Sequence, residues 1–162
     1  MENYTKMTKW LFFIWLLIIP FGFLSAQNDE IHWISFEQLE DSMNIKPQKV
    51  FLSFYADWCS YCKKMDKVAY RDKLVISTLN KDYYAVKMHT ETKDTIVFEG
   101  KKFFNEQLGK QRNPTHQIPL LLASRKGYPF SLPATIILDK KFRVVRREFQ
   151  YITAKKMGRI LK

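Results

Sequence analysis

The sequence predicts an α/β domain, a mixed sheet flanked by helices on both faces with an insert between about residues 90 and 128. Three observations carry that expectation. Helical and strand patterns alternate through the first half and end in a hairpin, the order of a mixed sheet covered by helices. Val50 to Tyr55 is a nearly continuous apolar run, as a strand buried on both faces requires. The 162 residues are 46% apolar and 15% aromatic, enough to bury one core without staples and too apolar for a disordered chain.

The first segment stands apart. Lys6 and Lys9 precede an uncharged run from Trp10 to Leu24, broken by Pro20 and Gly22, and Leu24-Ser25-Ala26 follows. A basic start, an apolar stretch and small residues at a cut identify a signal peptide over 1–26, with Gln27 as the mature terminus. The run falls short of the roughly 20 apolar residues of a spanning helix; an uncleaved N-terminal anchor is the alternative. No cysteine lies near the cut, which argues against a lipid-anchored terminus. Residues 27–162 then form one domain, exported to a periplasmic or other extracytoplasmic space where disulfides persist.

Along that domain, Ser35-Phe36-Glu37-Gln38 reads as a capping box opening a helix to about Ile45, with Phe36, Leu39 and Met43 on one face. Lys46-Pro47 ends it. After the strand at 50–55, Cys59 opens a second helical segment, and Asp72 caps a third whose Leu74, Val75, Ile76 and Leu79 point inward. Tyr83 to Met88 reads as a strand and His89 to Gly100 as a loop. Lys101 to Leu108 and Gln117 to Ser124 read as short helices, with Pro119 restricting where the second begins. Thr135 to Leu138 is a strand, Asp139-Lys140-Lys141 a turn, and Phe142 to Phe149 an edge strand whose arginines suit a solvated face. Thr153 caps a last helix that turns Ile160 and Leu161 inward.

Charge narrows the function classes. The chain has 27 Lys+Arg against 16 Asp+Glu, a net +11. Losing Glu2, Lys6 and Lys9 with the leader leaves 25 basic and 15 acidic residues, +10 over 136 residues. Export removes the nucleic-acid reading of that charge. The run Lys140, Lys141, Arg143, Arg146, Arg147, Lys155, Lys156 and Arg159 reads as a solvated face, with an anionic membrane or acidic protein as its alternative role. No Ser-His-Asp arrangement, phosphate-binding glycine loop or zinc-protease motif is present, and His89 reads more simply as a loop-packing residue than as a catalytic one.

The chemistry lies at Cys59-Ser60-Tyr61-Cys62, the two cysteines of the chain. At a helix N-terminus the first sulfur faces unpaired N–H groups and the positive end of the dipole, both of which stabilise a thiolate. The second, one turn on, is placed to attack a mixed disulfide on the first, which makes Cys59 the nucleophile and Cys62 the resolving thiol. Lys63 and Lys64 add positive charge. Three other readings compete: a zinc half-site, for which His32, His89 and His116 are scattered; a soft-metal site with Met65 or Met88; and a structural disulfide, whose tight loop adds little closure entropy.

Phe54 to Met65, with Trp58 before the first cysteine, resembles the active-site segment of thioredoxin-like proteins, above all exported thioredoxin-fold proteins and the C-terminal domain of the membrane disulfide-reductant transporter. Ile31 and Trp33, Tyr83 to Met88 and Leu132 to Asp139 fit the same pattern, so the resemblance spans about 31–162 and is vague across 90–128. It implies a cis-proline at Pro133 facing the cysteines, with the Leu132 backbone pairing an extended substrate and Trp58 flanking the site. Pro129 is the rival proline. The sequence departs from the family at Ser53, where many members carry a buried acid that takes a proton from the resolving thiol; a hydroxyl does not accept one at neutral pH. Ser60-Tyr61 between the cysteines is neither of the family's usual dipeptides, so the position within the family's range of about −270 to −120 mV is open.

The expected function is exported thiol–disulfide exchange with protein thiols and disulfides, in the reducing direction, with oxidation or isomerisation as alternative. A non-enzymatic redox-sensing or soft-metal-binding module is the reading from another class. No cofactor or resident metal is expected, the donor of electrons is a membrane-bound protein, and the domain is a monomer.

Overall fold

The computed structural model describes residues 30–162; the expected signal peptide lies outside the described residues. The main sheet has five strands in the order β1-β3-β2-β6-β7: Trp33–Ile34, Tyr83–His89, Lys49–Tyr55, Ala134–Leu138 and Val144–Glu148. β1 and β2 run parallel to β3, whereas β6 is antiparallel to β2 and β7 antiparallel to β6, which makes the sheet mixed. Among the described residues five α-helices flank it: α1 (Phe36–Ile45), α2 (Ser60–Lys67), α3 (Lys73–Asp82), α4 (Gln117–Ala123) and α5 (Ala154–Ile160).

Period-two alternation sends side chains of the central strand to two cores. Phe51 joins Met65, Val75, Leu79, Met157 and Leu161, under α2, α3 and α5. Val50, Leu52 and Phe54 join Phe36, Leu39 and Ile118, under α1 and α4. Full burial of such a side chain contributes about 1.5–3 kcal/mol, and Phe51 and Phe54 are at most 1% exposed. The strand is hydrophobic on both faces because both faces are covered.

The helix starts form as their sequences dictate. Ser35 Oγ accepts from Gln38 N at 3.2 Å and Gln38 Oε1 accepts from Ser35 N at 2.9 Å, a complete capping box. Asp72 Oδ1 accepts from Leu74 N and Val75 N at 3.0 and 3.1 Å. Thr153 Oγ1 accepts from Lys156 N at 3.2 Å. α4 begins at Gln117, with Pro119 in the first turn, where its missing N–H removes no intrahelical bond.

Three expectations are corrected. Leu74 points outward, 62% exposed: Val75, Ile76 and Leu79 define the buried stripe of α3, and at 100° per residue Leu74 falls opposite it. Lys101 to Leu108 is not helical, and the preceding segment is not all loop. β4 (Ile96–Phe98) and β5 (Lys101–Phe103) pair antiparallel across a turn whose Glu99 and Gly100 both have positive φ, 49° and 69°. Phe98 packs at 5.9 Å on Phe36 and 5.3 Å on Phe142, so the hairpin covers the sheet face beside α1. Buried Asn105 stops the chain there, donating to the carbonyls of Thr92 and Pro114 and accepting from Gln107 N. Finally, β7 starts at Val144 rather than Phe142, because Phe142 has φ 60° in the turn. There the Asp139 carboxylate accepts from Lys141 N, Arg143 N and Arg143 Nε, and Arg143 lowers its pKa to about 2.

Two outcomes follow for stability. By urea unfolding, Leu79→Ala costs about 2–5 kcal/mol, whereas Leu74→Ala stays within about 0.5 kcal/mol. His116, fully buried as the N-cap of α4, has a pKa pushed below its ordinary 6.5 by burial, against the Phe103 carbonyl and Asp94, which favour the charged form. Below pH 6.5 the unfolded chain takes up that proton and the folded chain resists it. Stability therefore falls as pH drops through and below 6.5, and His116→Asn, which keeps a capping acceptor, flattens that part of the urea-midpoint profile.

Candidate active site

β2 ends at Tyr55, and after Ala56-Asp57-Trp58 the chain turns into α2 with Cys59 as its N-cap. Cys59 N donates to Ala56 O at 3.0 Å, which closes the turn. Cys59 and Cys62 form a disulfide with Cα atoms 5.3 Å apart, and both residues are buried. Cys62 N donates to Cys59 Sγ at 3.1 Å, so the first sulfur caps an otherwise unpaired N–H of the helix start. The same N–H and the helix dipole stabilise negative charge on that sulfur once the bond is reduced.

The Leu132–Pro133 peptide is cis, and Pro129 is not. Ala134, the next residue, pairs with Phe54 in β2. Leu132 and Pro133 therefore sit at the end of the sheet from which the cysteine loop departs. Trp58 stands at the same end, 53% exposed.

Sequence reasoning set His89 aside and missed Glu91. β2 and β3 are in parallel register, Tyr55 beside His89, so the residues after both strands meet. Thr90 N donates to Tyr55 O at 2.8 Å, and Trp58 Nε1 donates to Glu91 Oε1 at 2.6 Å. His89 packs edge-on against Tyr55, and its Nδ1 accepts from Glu91 N at 3.1 Å. That bond makes Nδ1 the acceptor and leaves Nε2 as the donor nitrogen, which is buried with no hydrogen-bond partner among the described residues and lies 3.5 Å from Asp57 Oδ2. The end of β3 thus grips the loop that bears Cys59. The signal available was only two polar residues following a predicted strand.

Ser53 is buried, its Oγ 2.8 Å from Tyr70 Oη, with Thr135 opposite it across the sheet. Burial pushes the Tyr70 pKa up from its ordinary 10.0, and nearby Asp66 adds to the rise. The pair stays protonated at neutral pH and holds no base. Asp66 is held by Lys87 Nζ at 2.7 Å. Lys64 lies over the Tyr151 ring, 4.8 Å from its centroid, which draws its charge toward that ring. The basic run is partly engaged within the chain: Arg143 with Asp139, Arg146 and Lys156 with Glu148, and Arg147 Nε with Leu122 O. Among the described residues no three His, Cys, Asp or Glu side chains cluster as a metal site, and no helix is long and apolar enough to cross a membrane.

The family model Thioredox_DsbH, described as a protein of unknown function, DUF255, matches residues 21–109. The chain belongs to that family. Its fold is the thioredoxin fold. A thioredoxin-fold protein from Helicobacter pylori is similar at TM-score 0.56 and 14% identity, over 85% of this chain and 77% of that one. A thioredoxin from Thermus thermophilus is similar at 0.55 and 17%, over 82% and 85%. A structure described as DsbH oxidoreductase is similar at 0.50 and 16%, over 78% of each chain. No curated protein sequence matches. With the family's fold and a disulfide formed by its C-x-x-C, the chain is a thioredoxin-like thiol–disulfide oxidoreductase.

The Trp58–Glu91 bond is directly measurable. In 1H–15N spectra the Trp58 indole N–H of Glu91→Ala exchanges with solvent several-fold faster than in the parent, while the Trp33 indole is unaffected.

Proposed function

We propose that the protein is an exported enzyme that reduces disulfides in partner proteins. The observation that carries this reading is the Cys59–Cys62 disulfide at the start of α2, at the same sheet end as Leu132–Pro133. In the reducing direction the Cys59 thiolate attacks one sulfur of a substrate disulfide. A Cys59–substrate disulfide forms and the other substrate sulfur leaves as a thiolate that takes up a proton. Cys62, deprotonated, then attacks Cys59 Sγ, which closes the Cys59–Cys62 bond and releases the second substrate thiol. Two electrons pass from the dithiol to the substrate, and a membrane-bound dithiol donor restores them.

The residues support those roles unequally. Cys59 has the helix N-terminus and the Cys62 N–H to stabilise its thiolate. Cys62 has no buried carboxylate at position 53, only the protonated Ser53–Tyr70 pair, so its proton goes to solvent or to the departing thiolate. Trp58 forms an exposed wall beside the sulfurs, and the Leu132 backbone offers an edge to which an extended substrate segment adds by main-chain pairing. Export rests on the leader at 1–26, and the reducing direction on the resemblance of 54–65 to exported reductants. The domain acts as a monomer, without nucleic acid or a bound cofactor.

The purified protein reduces insulin in the presence of dithiothreitol, and Cys59→Ala abolishes the activity; equal turnover by the variant overturns the reading. A glutathione titration of the pair, followed by mass after alkylation, gives a potential toward the reducing end, and one at the oxidising end of the family reverses the direction.

A further inference from the structure

Between the cysteine loop and the segment leading to Leu132 lies a concavity of about 360 Å³ that the exchange chemistry leaves unused. Trp58 forms one wall, Glu91 from the end of β3 a second, and Gln107, Asn113 and Ser124 the side toward the insert. Phe130, two residues before Leu132, completes it. It is open to solvent at the rim, where Asn113 and Ser124 are exposed, and its floor includes the buried Thr90 and Thr115.

We infer that this concavity is a side-chain pocket for a Lys or Arg of the substrate protein next to its disulfide cysteine. The inference rests on the reading of Cys59–Cys62 as the exchange site and names what that site selects. Its charge carries the point. Among the described residues no Lys or Arg lines the pocket, although the chain is strongly basic, and Glu91 is the one charged residue that does. One Glu91 oxygen holds the Trp58 indole at 2.6 Å, which fixes the carboxylate against the ring and leaves the second oxygen to a ligand. Gln107 Oε1 is occupied by Thr115 N at 2.9 Å, while the Asn113 amide and the Ser124 hydroxyl stand at the rim. A guanidinium or ammonium finds here a carboxylate, neutral oxygen acceptors and the faces of Trp58 and Phe130 for its stem. An acidic side chain meets Glu91 with no cation among the lining residues to neutralise it. The preference is opposite to the one the overall +11 imposes on an approaching partner, so the two are separable.

The experiment uses three disulfide peptides that differ only beside one cysteine, Arg, Gln or Glu, reduced in single turnover by the dithiol protein at 150 mM salt, roughly one 8 Å Debye length. The Arg peptide is reduced about fivefold faster than Gln, through a tighter half-saturation, and Glu is slowest. Ser124→Asp widens the gap and Ser124→Lys erases or reverses it; Ser124 is an exposed rim position outside the reacting groups. Equal rates for the three peptides, a preference for Glu, or Ser124 variants that change all three alike overturn the pocket while leaving the exchange reaction standing. Reduction of none of them, with insulin also untouched, removes the exchange reading and the pocket with it.

Discussion

The backbone pairing of β2 with β3 on one side and β6 on the other is the constraint on which the rest of the molecule depends. Tyr55 lies beside His89 and Phe54 beside Ala134. Those two register pairs bring three chain segments to one end of the sheet: the cysteine loop, the His89-Thr90-Glu91 corner and Leu132–Pro133. A one-residue slip in either pairing would turn the strand's side chains to the wrong core, which is why the register is firmly held. The site inherits its precision from the two buried faces of β2 rather than from contacts of its own.

That arrangement leaves the sulfurs in an environment of mixed sign. The start of α2 favours a thiolate on Cys59, while two carboxylates lie on the loop side: Glu91, which accepts from the Trp58 indole, and Asp57, 3.5 Å from His89 Nε2. Beneath the sheet end, the Ser53–Tyr70 hydroxyl pair fills the place of an acid with groups that do not titrate near neutrality. Part of the domain's large positive charge lies on the β6–β7 turn, β7 and α5, where Arg143 pairs with Asp139 and Arg146 and Lys156 pair with Glu148. The thiolate is therefore tuned locally, by a helix terminus and neighbouring side chains, more than by net charge.

The insert shows where local reading stops. Lys101 to Leu108 has residues that tolerate a helix, and in isolation nothing forbids one. Phe98 and Phe103 instead pack on the sheet face beside Phe36, and the Glu99-Gly100 turn lets two short strands reach it. Leu74 was misplaced for a different reason: four apolar residues in the first turns of α3 exceed what one stripe can bury, and the angle decides which is left out. In the insert tertiary packing overrode a weak local preference, whereas for Leu74 the helix's own 100° per residue made the choice.

By itself the sequence determined the elements with strong local chemistry: the capping box at Ser35, the caps at Asp72 and Thr153, the doubly buried strand at 50–55, and a dithiol at a helix start. These depend on residues within a turn of one another, so composition and spacing carry them. Only the tertiary structure decided that Glu91 holds Trp58, that His89 turns its ring toward Asp57, and that the insert closes a pocket with one carboxylate against the cysteine loop. Those partners are 32 or more residues apart in the chain, and they meet only because a parallel crossover sets two strand ends side by side.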